Sequence, residues 1–214
     1  MIPYSPTGAD CDASSFEAAV SLYYTPRQWQ AIQHTRIGIA GAGGLGSNIA
    51  VALVRSGFQY LEIADFDLLE AKNLNRQYYF LNEVGRPKVE SLAKRLRAIN
   101  PSVEITTHQV RFTEENIRDY FKEAEYLFEA FDRPEAKRMF LEAFAGSGKF
   151  LVMGSGMAGI SNATPIVIRK LKEKLYLVGD GVTSVGPENP PCAPRVSACA
   201  GLMASVVLED VCAK

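Results

Sequence analysis

The sequence has 214 residues, 47% hydrophobic and 22% charged, with a formal net charge of −1. That composition suits a globular chain with a core of its own, and the 23 Lys and Arg are scattered, with none of the basic striping of a nucleic-acid binder. The opening residues lack the basic start and apolar run of a secretory signal, and no run reads as approaching the ~18 apolar residues that cross a bilayer, so a cytoplasmic location is expected.

Residues 1–13 read as a loose tail. Ser14 and Glu17 have capping-box spacing ahead of FEAAVSLYY, a short helix candidate. Thr25, Pro26 and Gln28 mark a second helix start, running to His34. RIGIA (36–40) is a buried strand, 41–46 a glycine turn, 47–56 a helix stopped by Gly57, and 60–65 a second strand. Residues 87–100 form an amphipathic helix, with Val89, Leu92, Leu96 and Ile99 recurring every three or four positions. Next come a strand over 103–110, a helix over 114–122, a strand over 126–131 ending at Asp132, a helix over 134–145 and a strand over 150–154. Such alternation predicts an α/β, Rossmann-like, mostly parallel doubly wound sheet with helices on both faces.

The last third differs. Residues 166–171 and 175–178 flank the charged turn KEK and predict an antiparallel hairpin. Residues 181–194 form an exposed Gly- and Pro-rich loop, and 196–211 a closing helix. One domain is expected over 14–214, with its nucleotide-binding core in 14–156 and the hairpin, loop and helix in 157–214. The cysteines, Cys11, Cys192, Cys199 and Cys212, make no CxxC pair, so no zinc site is expected. His34 and His108 lie too far apart in sequence to support a triad.

GAGGLGS (41–47) joins a strand to a helix, and Gly41, Gly43 and Gly46 fit GxGxxG. Glycines permit the tight turn and close backbone approach, and the helix start offers unpaired N–H groups to a phosphate. Asp65 ends the next strand, where a carboxylate can accept from ribose hydroxyls. The same glycines also serve close packing of helix on strand. After Asp65 come Asp67, Asn73, Asn75, Arg76 and Gln77, and Lys88 follows in GRPKVE. Two cations beside a phosphate-binding turn suit a triphosphate better than the pyrophosphate of NAD. Plainer roles exist: the amides can satisfy loop backbone, Arg76 and Lys88 can be surface charges, and Asp132 can cap the helix starting at Pro134.

GAGGLGS, D-x-D, NLNRQ, GRPKVE and the strand-end Asp132, in that order, resemble the ThiF/MoeB/ubiquitin-activating-enzyme family. Length, the missing cysteine pairs and the ending resemble its compact bacterial ThiF type. The resemblance implies ATP-dependent adenylation of the C-terminal carboxylate of a small ubiquitin-like sulfur carrier ending in Gly-Gly, in thiamine biosynthesis, with release of pyrophosphate. It implies that Gly41, Gly43, Gly44 and Gly46 face the phosphates, and that Asp65 holds the ribose. Asn73, Arg76, Gln77 and Lys88 would contact phosphates, with Arg76 and Lys88 stabilising charge as pyrophosphate leaves, and Asp132 would hold Mg²⁺ or orient the reacting groups. Arg27 would reach into a partner protomer's site, implying a homodimer. Cys192, on the loop before the last helix with Arg195 nearby to lower its pKa, is a candidate for capturing the acyl group; Cys199 and Cys212 read as packing residues. A nicotinamide-dependent oxidoreductase would explain the turn and Asp65 but leave NLNRQ and Lys88 unused. A non-catalytic binder of a ubiquitin-like protein would need neither Arg76, Lys88 nor Asp132.

Overall fold

Seven strands form one sheet in the order β3-β2-β1-β4-β5-β7-β6 in the computed structural model, which describes residues 15–161 and 163–214. The strands are β1 (Arg36–Ala40), β2 (Tyr60–Ala64), β3 (Glu104–His108), β4 (Tyr126–Glu129), β5 (Phe150–Gly154), β6 (Val167–Lys172) and β7 (Leu175–Gly179). The helices are α1 (Phe16–Ser21), α2 (Pro26–His34), α3 (Gly44–Arg55), α4 (Lys88–Ile99), α5 (Pro134–Phe144) and α6 (Ala193–Ala213). All neighbouring strands are parallel except β6, which runs antiparallel to β7. The fold is thus a Rossmann-like α/β sheet with the expected antiparallel hairpin, and that hairpin joins the sheet through β7.

Period-two alternation sorts side chains to the two faces. Ile37, Ile39, Tyr126, Phe128 and Val152 pack with α3, α4 and α6, whereas Leu127, Leu151 and Met153 pack with Phe121, Phe140 and Phe144 on the other face. Apolar residues on both faces are what a sheet covered on both sides demands. The chain leaves β1 towards β2 and β3 on one side, and β4 and β5 lie on the other. Between β1 and β4 the winding reverses, and a crevice opens there at the carboxyl ends of the strands.

Local chemistry set several boundaries. Thr25 Oγ1 accepts from the Gln28 amide at 3.3 Å and Gln28 Oε1 accepts from the Thr25 amide at 3.0 Å, the reciprocal cap expected for α2. Elsewhere the structure corrects the reading. Ser14 lies outside the described residues, and Ser15 caps α1 by accepting from the Ala18 amide at 3.1 Å. Helix α3 begins at Gly44, three residues before the expected start, because Gly43 serves as its N-cap. The helix expected over 114–122 is only a single 3₁₀ turn at Ile117–Asp119. Asn116 accepts from the Thr113 amide and donates to the Arg111 carbonyl, and Phe121 sits buried at φ 58°, so the backbone turns away from helical geometry. Helix α6 has 21 residues and an 18-residue window of mean hydropathy 1.6, so a run of membrane-spanning length and apolarity does exist. Val196, Cys199, Ala200, Met203 and Val207 bury it in the core against α3 and the sheet.

Candidate nucleotide site

The crevice is a cleft of about 1230 Å³. Its floor is the glycine turn. Gly41 has φ +105°, and a Cβ there would lie 2.8 Å from the Ala130 carbonyl oxygen. A Cβ on Gly46 would lie 1.8 Å from the Gly41 carbonyl oxygen. Only glycine permits either approach. Gly41, Gly43 and Gly44 line the cleft; Gly46 is buried and not among the lining residues. Its place is in packing the helix against the turn, which corrects the expectation that it faces phosphates. Among the described residues no side chain caps α3, which leaves the amides of its first turn without a side-chain partner, as an anion site requires.

The loop 66–86 folds over this helix start. Ser47 Oγ donates to the Gly43 carbonyl at 2.6 Å and accepts from the Tyr78 amide at 3.0 Å. Asn48 Nδ2 donates to the Gly44 carbonyl at 2.7 Å and the Arg76 carbonyl at 3.0 Å. Tyr79, buried, donates to the Ala42 carbonyl at 2.7 Å. Sequence reasoning had passed over all three; a Ser-Asn pair directly after the glycines and a paired Tyr after NLNRQ were the available signals.

Asp65 binds the turn itself, accepting from the Ala42 amide at 2.7 Å and the Asp67 amide at 2.8 Å. Burial raises its pKa, while Lys88 and the two amides pull the other way. Lys88 is 5% exposed, with Nζ 2.6 Å from Asp67 Oδ2, and both line the cleft. The reading of Lys88 as a solvated surface charge therefore fails. Arg76 faces the same space, its pKa lowered by burial against the opposing pull of Asp132. Asp132 is exposed in the cleft, and Arg133 rather than Asp132 is the N-cap of α5. Gln77 is 7% exposed and lines the cleft with its Oε1 buried and unpartnered. A buried orphan of this kind is costly unless something binds to it.

The structure does not bring every predicted residue to the cleft. Asn73 is buried outside it, with Oδ1 accepting from the Glu70 amide at 3.0 Å, so it holds the loop's shape. Arg27 is exposed on α2, away from the lining. Cys192 is the N-cap of α6, half-buried, with Sγ 3.5 Å from the Pro190 carbonyl. Arg195 does not serve it: the guanidinium turns inward to Asp180 Oδ2 at 2.7 Å and to the Ser161 and Thr164 carbonyls. Cys199 is buried, which pushes its thiol up to about 12. Among the described residues no group of three or more His, Cys, Asp or Glu could hold a metal ion.

Two further features were not foreseen. Lys137 lines the cleft with Nζ 2.9 Å from Glu129 Oε1 and 2.9 Å from the Gly154 carbonyl, joining the ends of β4 and β5. Glu129 is fully buried, and burial raises its pKa against the pull of Lys137. An acid in the apolar strand YLFE was the available signal, because a buried charge needs a partner. Beyond Asp65 the cleft has an apolar end of Phe66, Val110, Phe112, Phe131 and Met139, with the Arg111 guanidinium 3.6 Å from the Phe66 ring centroid. One end thus suits a flat aromatic base and the other a polyanion.

The sequence profile of the ThiF family matches residues 17–212, and the chain belongs to that family. It is 43% identical over 88 residues to the NEDD8-activating enzyme E1 catalytic subunit of Arabidopsis thaliana, 41% of this chain and 19% of that protein. It is 31% identical over 131 residues to the sulfur carrier protein adenylyltransferase of Thermus thermophilus, 61% of this chain and 48% of that protein. A probable adenylyltransferase/sulfurtransferase MoeZ of Mycobacterium tuberculosis is 31% identical over 125 residues, 58% of this chain and 32% of that protein. The matches therefore span from about a fifth to a half of these relatives. Among solved structures, the E. coli tRNA N6-threonylcarbamoyladenosine dehydratase TcdA in complex with ATP shares the fold at TM-score 0.84 and 24% identity, covering 96% of both chains. E. coli MccB with ATP aligns at TM-score 0.71 and 17% identity, over 93% of this chain and 64% of that one.

Proposed function

We propose that this cleft binds ATP and that the protein adenylates the C-terminal carboxylate of a small ubiquitin-like sulfur carrier. The observation that carries this reading is the convergence of Arg76, Lys88, Gln77 and Asp132 on the uncapped start of α3. The family and the adenylyltransferase relatives support it, as does the likeness to the ATP-bound TcdA fold. The carrier carboxylate, ionised at neutral pH, attacks the α-phosphorus; the bond to the β-phosphate oxygen breaks, and pyrophosphate leaves with that electron pair. No general base is needed. Positioning and charge neutralisation remain, and the α3 amides, Arg76 and Lys88 supply them. Mg²⁺ would enter with the nucleotide and neutralise phosphate charge, held by Asp132, which is exposed in the cleft and acts on Arg76.

The finer reading rests on the motif resemblance: a ThiS-like carrier ending in Gly-Gly, thiamine biosynthesis in the cytoplasm, and a homodimer in which Arg27, exposed on α2, completes the partner's site. Cys192, half-buried beside the cleft-lining Pro191, would be the group to capture an acyl adenylate.

Carrier-dependent ATP–pyrophosphate exchange tests the proposal. Arg76→Ala and Asp132→Ala should each abolish exchange while circular dichroism stays that of the parent. Exchange retained in both variants would refute these assignments. Tight NAD binding without an ATP signal in calorimetry would favour an oxidoreductase.

A further inference from the structure

The long loop between β7 and α6 is held at one end by a buried ion pair, Arg195 with Asp180, whose partners are 6% and 0% exposed at their side chains. Residues 181–185 of this loop and Pro191 line the cleft. At its far end the Pro190 carbonyl accepts from the Gly159 amide at 2.9 Å. The Pro191 carbonyl, one residue before the N-cap of α6, accepts from Asn75 Nδ2 at 2.8 Å, across 116 residues of chain. The other end of the same carboxamide, Asn75 Oδ1, accepts from Arg76 Nη1 at 2.7 Å. Asn75 itself lies outside the cleft. The Arg76 backbone is fixed separately, since its carbonyl accepts from Asn48 Nδ2, and Asn48 Oδ1 accepts from Ser197 Oγ on α6 at 3.3 Å.

We propose that Asn75 is a positioning residue that ties the seating of the 181–192 loop to the aim of the Arg76 guanidinium. This rests on the reading of Arg76 as a phosphate ligand. A primary carboxamide is suited to the task because it donates from one end and accepts at the other. Aspartate would still accept from Arg76 but would set a carboxylate against the Pro191 carbonyl. Alanine would do neither. With the loop seated, the carboxamide is held, and the guanidinium is turned towards the space it shares with Asp132 and the α3 amides. With the loop lifted, the carboxamide loses its anchor and the arginine swings. The loop over the cleft and the charge inside it are in this way one device.

Two measurements on the whole chain test this. Hydrogen exchange of the Gly186 and Asn189 amides, bonded within the loop, and of the Gly159 amide, bonded to the Pro190 carbonyl, should without nucleotide accelerate about tenfold in Asn75→Ala and Asn75→Asp, because the loop loses a hydrogen bond to the body of the protein. Calorimetric titration with Mg·ATP, run as a double-mutant cycle, should show Asn75→Ala weakening binding about tenfold in the parent and less than twofold in an Arg76→Ala background. A merely structural role would weaken both backgrounds equally and would overturn the proposal, as would unchanged loop exchange in both variants. Failure of the parent to bind Mg·ATP would sink the nucleotide reading instead, and the exchange measurement would still decide whether Asn75 holds the loop.

Discussion

Asp180 shows how much one buried carboxylate can organise. Its Oδ1 accepts from the Val182 and Thr183 amides at 2.8 Å each, and its Oδ2 accepts from Thr183 Oγ1 and Arg195 Nη2 at 2.7 Å each. Burial would raise its pKa, but the Thr183 hydroxyl, these amides and Arg195 outweigh burial and lower it. A depressed carboxylate contributes stability above its unfolded value and loses it as pH falls through the folded value. Asp180→Asn leaves a buried guanidinium without its counter-charge, and should cost about 3–5 kcal/mol at neutral pH. That gap should narrow once pH drops below the ordinary aspartate value of 3.8, as the parent's carboxylate takes up its proton. Urea unfolding of both proteins across pH 3–7 measures it, and a gap that is constant with pH would show that charge is irrelevant. The pair was not legible in the sequence. Arg195 read as a neighbour of Cys192, because adjacency along the chain is visible there and a contact 15 residues away, buried under a loop, is not.

At the scale of elements, the glycine turn was the most legible part because its chemistry is local. GAGGLGS dictates a close approach whatever surrounds it, and β1 at Arg36–Ala40 and β5 at Phe150–Gly154 match the apolar runs residue for residue. The glycines nevertheless divide the labour in a way that spacing cannot show. Gly46→Ala would drive a methyl into the Gly41 carbonyl and should destabilise the fold by about 3 kcal/mol or more in urea titration. Gly43→Ala meets nothing nearer than Gln77 Nε2 at 3.7 Å, so it should fold normally and lose nucleotide affinity instead. Equal stability of the two variants would show that the turn can relax. The stretch over 114–122 misled for the opposite reason: its periodicity was helical, but Phe112, Tyr120 and Phe121 pack on one another and on Phe144 and Phe131, and tertiary packing overrode propensity.

Across the whole molecule, the mostly parallel sheet followed from the alternation of strands and helices, and the ligand edge past the second strand from the polar residues after Asp65, whereas the switch point between β1 and β4 emerged only with the strand order. The Glu129–Lys137 clamp needed the topology first, because it joins the ends of two neighbouring strands. The hairpin was expected, yet only its docking through β7 shows that β6 becomes the rim of the sheet. Among the described residues strand β6 pairs on one side only, and all but its first residue are exposed. A bare rim of amides and carbonyls invites another molecule to stack alongside, and Arg169, Lys170 and Lys172 set like charges there against such a visitor. That guard reaches about 8 Å at physiological ionic strength and about 3 Å at 1 M. Light scattering of concentrated protein should therefore register clustering as salt is raised towards 1 M, and Lys170→Glu with Lys172→Glu, which sets two carboxylates beside Arg169 and so removes the like-charge repulsion, should cluster at lower salt than the parent. The molecule's tolerance of high concentration is thus expected to be set at the end of the sheet opposite β3, by cations of β6 that do not line the cleft.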